Sequence, residues 1–142
     1  MDIRVNNYDK QSFGNTLCII KPGQYDKSKS IIDNYIIPAG FKIVKKWEGV
    51  APKEVLEKHY SDIANKPFYK DVIDYMNSGK ITVLELNGGE GDVSKFEQLT
   101  TNLLRPIFGT DKIHNAIYAS DSIESANREI NEIWGKYLNL QA

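Results

Sequence analysis

The chain is short of the features that most sharply narrow a function. Its 142 residues include one cysteine, Cys18, inside an apolar run. A lone thiol excludes an internal disulfide and suits a reducing compartment. The expected role of Cys18 is that of a small buried hydrophobe rather than a reactive thiol. An excess of one charge is also missing. Lys and Arg number 18 against 19 Asp and Glu, a formal net charge of −1, so nothing global draws the chain to nucleic acid or an anionic membrane. A local basic pocket for a small polyanion is compatible with that balance. No apolar run approaches the roughly 20 residues a membrane-spanning helix needs. The polar stretch 1–14 lacks the apolar core of a signal peptide. Internal repeats and low-complexity tracts are absent too. The expectation is a soluble, cytoplasmic protein with no membrane and no nucleic-acid partner.

What is present suits one domain large enough to bury a core. Residues 1–14 read as an N-terminal extension and 15–142 as the domain. The β-branched run 16–21 ends in Lys21-Pro22-Gly23, a strand followed by a turn. Ile31, Ile32, Tyr35 and Ile36 at helical spacing predict a helix near 30–37, capped by Ser28 or Ser30 and stopped by Pro38-Ala39-Gly40. Residues 41–50 read as a half-exposed strand. Pro52 opens a helix through Leu56 to Tyr60, and a second short helix covers 67–77. A third strand, 81–86, leads into Gly88-Gly89-Glu90-Gly91. No Gly-Lys-Ser/Thr follows those glycines, so they form a turn rather than a phosphate-binding P-loop. Val93, Phe96, Leu99 and Leu103 share one face of the next helix. A short strand, 115–119, precedes a last helix with Ser122 near its N-cap. The order β-α-β-α-α-β-α-β-α predicts an α+β fold, a ferredoxin-like split βαβ sandwich whose antiparallel sheet carries helices on one face.

The stretch Asn115-Ala116-Ile117-Tyr118-Ala119-Ser120-Asp121-Ser122 resembles the active-site signature of nucleoside diphosphate kinases, Asn-x-(Ile/Val)-His-(Gly/Ala)-Ser-Asp-Ser. Tyr118 stands where that signature has its histidine. Other stretches follow in family order. Ile20-Lys21-Pro22-Gly23 resembles the turn after the first strand. Gly40-Phe41-Lys42-Ile43-Val44 resembles the start of the second strand. His59-Tyr60 with Lys66-Pro67-Phe68-Tyr69 resembles a His-Tyr and Arg-Pro-Phe-Phe pair, and Tyr75-Met76-Asn77-Ser78-Gly79 a Tyr-Met-x-Ser-Gly. Residues 121–134 resemble the last long helix. The resemblance covers most of the chain and implies the same ferredoxin-like core.

It also implies a site for nucleoside di- and triphosphates, with Mg2+ carried on the phosphates. Lys21 falls on the lysine that contacts the γ-phosphate, Arg105 on an arginine that binds phosphate oxygens, and Asn115 on the asparagine that contacts the sugar hydroxyl. Phe68 falls on the aromatic that stacks on the base, Val72 on a neighbouring apolar contact, and Tyr60 on the tyrosine beside the catalytic imidazole. Ser120 and Glu129 fall on the pair that orients that imidazole. Four of these residues also have an ordinary reading. Lys21 could be a solvated lysine, Phe68 and Val72 core residues at i, i+4, and Asn115 a turn residue at a strand edge. An arginine suits phosphate because its planar fork can hold two oxygens at once.

The departures carry as much information. The family's Lys-Pro-Asp-Gly is here Lys21-Pro22-Gly23-Gln24. A second phosphate-binding arginine, in the helix after the third strand, has no counterpart in Lys95-Phe96-Glu97-Gln98-Leu99, where Lys95 is a candidate substitute. The family's phosphate-contacting threonine corresponds to Thr100 or Thr101. The long loop before Arg105 is almost entirely missing. The expected consequences are a more open cleft and a homo-oligomer that is a dimer rather than the family's hexamer.

Tyr118 bears on the reaction itself. A neutral imidazole is a competent nucleophile near pH 7, with a reference pKa of about 6.5. A phenol titrates near 10, so only about one in a thousand is ionised at pH 7. A phosphotyrosine ester is also a poorer phosphoryl donor than phosphohistidine. The longer side chain is expected to carry its hydroxyl into space that the γ-phosphate needs, while Glu129 is available to accept from Ser120 or Tyr118. Neither histidine is expected to stand in. His114 lies off the strand's alternation, and His59 is expected to face solvent. The leading expectation is a nucleotide-binding pseudoenzyme of the kinase family with lost or very weak transfer. The alternatives are an active kinase that exchanges phosphate between nucleotides, and an interaction module that binds no nucleotide.

Overall fold

The computed structural model describes residues 14–141, so the proposed extension 1–14 lies outside the described residues apart from Gly14. Four strands form one antiparallel sheet: β1 (Thr16–Ile20), β2 (Lys42–Val50), β3 (Lys80–Asn87) and β4 (Ile117–Ala119). Their order is β2-β3-β1-β4. Ile19 of β1 faces Val83 of β3 on one side and Tyr118 of β4 on the other.

The central pair, β1 and β3, is apolar at consecutive positions, so it has two faces to bury. Leu17, Ile19, Ile81 and Val83 point to one face, and Cys18, Ile20, Leu84 and Leu86 to the other. The expectation of helices on one face is therefore corrected: helices cover both. Over the Cys18 face lie α1 (Ser28–Ile31), continued by a π-helical turn Ile32–Ile36, and α4 (Asp92–Leu99). A second π turn, Thr100–Leu104, joins α4 to α5 (Arg105–Phe108). Over the opposite face lie α2 (Lys53–His59) and α3 (Tyr69–Met76). They share it with the turn Glu129–Ile133 that follows α6 (Ile123–Arg128), and with α7 (Gly135–Leu138). Cys18 is buried, as its apolar setting implies.

Two caps were expected, and one forms. The Ser122 hydroxyl accepts from the Ser125 N–H at 3.0 Å. Neither Ser28 nor Ser30 caps α1, because α1 grows directly out of a 3-10 turn, Pro22–Lys27. The Ser28 hydroxyl instead donates to the Tyr25 carbonyl at 2.7 Å and pairs with Thr82 Oγ1 at 2.9 Å.

His59 does not face solvent; it is 4% exposed. It sits three residues after Leu56 on α2, so the helical period carries both to the core side. Trp134 Nε1 donates to His59 Nδ1 at 3.1 Å, which puts the ring proton on Nε2. Burial, with the nearby charges of Arg128 and Lys21, lowers the pKa of His59 to about 3. The unfolded chain takes up this proton near pH 6.5 and the folded chain only near 3. The stability held in the neutral ring is thus complete above pH 6.5 and is lost as pH falls toward 3. Urea unfolding at pH 7 and pH 4.5 should show this contribution, with a slope of at most about 1.4 kcal/mol per pH unit. His59→Gln should flatten the decline relative to the parent, and an equal slope in both proteins would contradict the assignment.

Candidate functional site

The candidate residues converge where β1 ends and β4 begins. Lys21 follows β1, and its backbone N–H donates to the Ala116 carbonyl at 2.8 Å. Its ammonium donates to Asn115 Oδ1 at 2.6 Å and to the Ile113 carbonyl at 3.4 Å. At 6% exposure it is no ordinary solvated lysine. Burial and the neighbouring charge of Arg105 lower its pKa to about 8, while Asp111 acts the other way. Among the described residues no carboxylate pairs with Lys21 or Arg105. The turn after Lys21 depends on Gly23, whose N–H donates to the Tyr75 hydroxyl at 3.0 Å. A Cβ at that position would lie 2.6 Å from the same oxygen.

Arg105, at the start of α5, donates from Nε to the Ile117 carbonyl at 3.1 Å. Together with Thr101, Thr110, Asp111, Lys112 and Asn115 it lines a cleft of about 470 Å³. Gly109 lets the loop close over Arg105, because a Cβ there would lie 2.8 Å from the Arg105 carbonyl and 2.9 Å from Asn115 Cα. Within the loop, Asp111 Oδ1 accepts from the backbone N–H groups of Ile113 (2.9 Å) and His114 (2.7 Å). The Asp111 carboxylate also meets His114 Nδ1 at 2.9 Å, and the His114 ring packs edge-on against Tyr75. Ala116 closes the segment at φ 77°, a left-handed backbone that costs a non-glycine residue roughly 1–2 kcal/mol. This strained residue lies between Asn115 and β4.

Tyr118 is half-buried on β4. Its hydroxyl donates to Glu129 Oε2, so it does not project into the cleft as the sequence suggested. The other carboxylate oxygen, Oε1, accepts from Ser120 Oγ at 2.6 Å, and Ser120 Oγ in turn accepts from the Leu17 N–H at 3.3 Å. The expected hydroxyl-to-Glu129 bond is therefore made twice. Burial, and then the Glu129 charge, drive the phenol far above its ordinary range. Burial likewise raises Glu129, against the two hydroxyls that stabilise its charge. The Tyr118 ring meets His59 edge-on at 4.4 Å and Tyr60 at 6.3 Å. His59 Nε2 and the Tyr60 hydroxyl are buried without a partner, and burial raises the pKa of Tyr60 as well.

The remaining candidates separate. Phe68 is 43% exposed, whereas Val72 is buried with Ile73 and Met76. The shared face expected of them fails because Phe68 precedes the first helical residue of α3. Val72 is a core residue. Thr101 lines the cleft beside Arg105, and Thr100 is buried. Lys95 lies with Ala39, Phe41, Leu99 and Leu103 on another surface, so it does not supply the missing cation. Glu97 lines a separate 220 Å³ cavity with Asp121 and Ser122, and its charge acts on Arg105. Sequence reasoning missed Lys112, the contacts of Tyr75 with Gly23 and His114, and the burial of His59. Only the last left a signal, its helical spacing from Leu56.

Two unpaired cations, an amide and an exposed aromatic ring are groups that an organic phosphate can use. No cluster of three or more His, Cys, Asp or Glu suited to a metal occurs among the described residues, and no described helix is long and apolar enough to cross a membrane.

Comparison with known proteins agrees with the fold. The family model described as "Nucleoside diphosphate kinase" matches residues 14–137. A nucleoside diphosphate kinase from Caldanaerobacter subterraneus subsp. tengcongensis is 36% identical over 85 residues, which cover 54% of this chain and 61% of that protein. This match therefore spans about three fifths of its relative's length. One from Aquifex aeolicus is 34% identical over 129 residues, covering 81% of this chain and 89% of that one. A crystal structure of the Aquifex aeolicus enzyme superimposes with a TM-score of 0.71 at 32% identity, over 82% of this chain and 91% of that chain. The β2-β3-β1-β4 sheet, its helical cover and a family match over nearly all described residues lead to one assignment: the chain belongs to the nucleoside diphosphate kinase family.

Proposed function

We propose that the protein binds nucleoside di- and triphosphates at Lys21, Arg105 and Asn115, and that its γ-phosphoryl transfer is lost or very weak because Tyr118 replaces the phosphorylated histidine. One observation carries the second half of this reading: the Tyr118 hydroxyl is bound to Glu129. Transfer requires an atom with a free lone pair facing the γ-phosphorus. It forms a bond there as the β–γ bridging oxygen leaves with the diphosphate. The phenol oxygen keeps its lone pairs, but the bond to Glu129 fixes where it sits, and burial with the Glu129 charge keeps it protonated, a far weaker nucleophile than a phenolate. Its ring carbons offer no nucleophile.

Binding asks for less. Among the described residues Lys21 and Arg105 have no ion-pair partner, and the burial of Lys21 removes water that would screen its charge from a ligand. Phe68 offers an exposed ring for a base to stack on. Mg2+ fits this chain as a companion of the nucleotide, with the phosphates as its ligands, where it would neutralise part of their charge.

The test is calorimetric titration with ADP and ATP in Mg2+, followed by incubation with γ-labelled ATP. Heat of binding without protein-bound phosphate is the expected result. Acid-labile phosphate that passes to GDP would overturn the loss of transfer, and no heat with either nucleotide would overturn binding. Tyr118→His should restore measurable transfer to GDP, since Ser120 and Glu129 are already placed to orient a ring; a variant that binds ATP but stays inert would count against an otherwise intact site. Affinity should also depend on pH through Lys21. The folded ammonium loses its proton near pH 8, so nucleotide affinity should hold below that value and decline above it. Titration at pH 7 and pH 9.5 checks this, and Lys21→Met should remove most of the difference.

A further inference from the structure

We infer that Asn115 is a positioning residue: its amide holds the Lys21 ammonium in place for phosphate, and it does not read the sugar. The inference rests on the nucleotide reading above and changes the part that Asn115 plays in it. The side-chain amide is engaged at both ends. Its oxygen accepts from Lys21 Nζ at 2.6 Å, and its nitrogen donates to the Lys112 carbonyl at 3.0 Å. These partners fix which end is which. Turned over, the amide would set its own N–H groups against an ammonium and its oxygen against a carbonyl. The backbone beneath is held as firmly. The Asn115 carbonyl accepts from the Ile117 N–H at 2.9 Å, and the next carbonyl, that of Ala116, accepts from the Lys21 N–H at 2.8 Å. The segment is thus tied to Lys21 through a side chain and, one residue on, through the backbone.

Lys21 needs such a partner. It is buried, and no carboxylate pairs with it among the described residues. Its other acceptor, the Ile113 carbonyl, lies at 3.4 Å, longer than a usual hydrogen bond. An ammonium has three N–H groups. Asn115 takes one along a short bond, Ile113 takes a second weakly, and the third is left for a ligand. Because the amide is neutral, it directs the ammonium without cancelling its charge. The charged groups that act on Lys21 are Arg105 on α5 and Asp111 in the same loop, in opposite senses. His59 on α2 is neutral above its pKa of about 3.

The experiment measures ADP and 2′,3′-dideoxy-ADP by calorimetry in Mg2+, from pH 7 to pH 9.5, for the parent protein, Asn115→Leu and Asn115→Asp. The two nucleotides differ only in the sugar hydroxyls. Leucine has nearly the shape of asparagine and no acceptor. Asn115→Leu should therefore weaken both nucleotides by the same factor at pH 7, roughly tenfold, the size of a lost hydrogen bond to a charged group. The ammonium also loses a partner that favours its charged form, so affinity should decline at lower pH than in the parent. Asn115→Asp gives Lys21 a carboxylate. It should again weaken both nucleotides equally, because the charge is now compensated, and should move the decline to higher pH. A residue that read the sugar would behave otherwise. Its loss would weaken ADP, spare the dideoxy nucleotide and leave the pH profile where it was. That result in either folded variant would overturn the inference while leaving nucleotide binding standing, and so would a parent that binds ADP but not the dideoxy nucleotide. Thermal melts identify a variant that does not fold. Asn115→Asp keeps both the shape and the acceptor, and it decides alone if Asn115→Leu is lost. Failure of the parent to bind ADP would remove the nucleotide reading itself, and this inference with it.

Discussion

Glu129 is the constraint around which the candidate site is arranged. Its carboxylate is buried on the turn after α6, and each oxygen accepts from a hydroxyl on or beside β4. An unpartnered carboxylate in such a place would cost several kcal/mol, by the scale of buried ions in proteins. Ser120 and Tyr118 remove that cost together, and Ser120 passes the tie on to β1 through the Leu17 N–H. A side chain at 118 must therefore either donate to Glu129 or leave it half satisfied. Tyrosine meets the structural demand. In doing so its hydroxyl is committed to Glu129 and kept protonated. The bond that keeps the strand and the helix together is the one that, on the proposed reading, silences the chemistry.

The cationic side is built by the opposite device. Lys21 is buried without an acid and held by an amide and a backbone carbonyl. Neutral partners satisfy its N–H groups and leave its charge uncompensated, so the position favours an anion from outside. The loop that provides those partners is itself tightly specified. Asp111 ties its backbone, Gly109 permits its close approach to Arg105, and Ala116 accepts an unfavourable φ to turn into β4. Strain of that sort persists only where surrounding contacts overrule it. Here the Lys21 N–H bonds to the Ala116 carbonyl, and the Ile117 N–H to that of Asn115.

Much of the fold was legible because it follows from pattern. The strand runs, the Pro and Gly breaks and the Ser122 cap appear where local chemistry requires them. The helical cover was underestimated for a physical reason. Apolar residues at consecutive positions of β1 and β3 mean two buried faces, while the half-exposed look of β2 suggested one. The site was legible as an inventory and less so as a geometry. Lys21, Arg105 and Asn115 assemble, but the directions of side chains depend on where helices begin. Phe68 and Val72 share a spacing and no face, because α3 starts after Phe68. Lys95 and Glu97 are two residues apart, which on a helix sends them to different sides. Spacing alone does not tell that neither of the two lines the cleft with Arg105 and Asn115.

Binding and transfer make separable demands on such a scaffold. A cleft that holds phosphate needs charge at roughly the right distance, and charge acts over several ångströms with little regard for orientation. Transfer needs one lone pair in line with one bond, and an error of an ångström removes it. The apolar pattern that sets the sheet and helices is spread over dozens of residues and tolerates substitution at any one of them. The nucleophile is a single atom. A change at Tyr118 can therefore leave the fold and the cations in place while it removes the reaction.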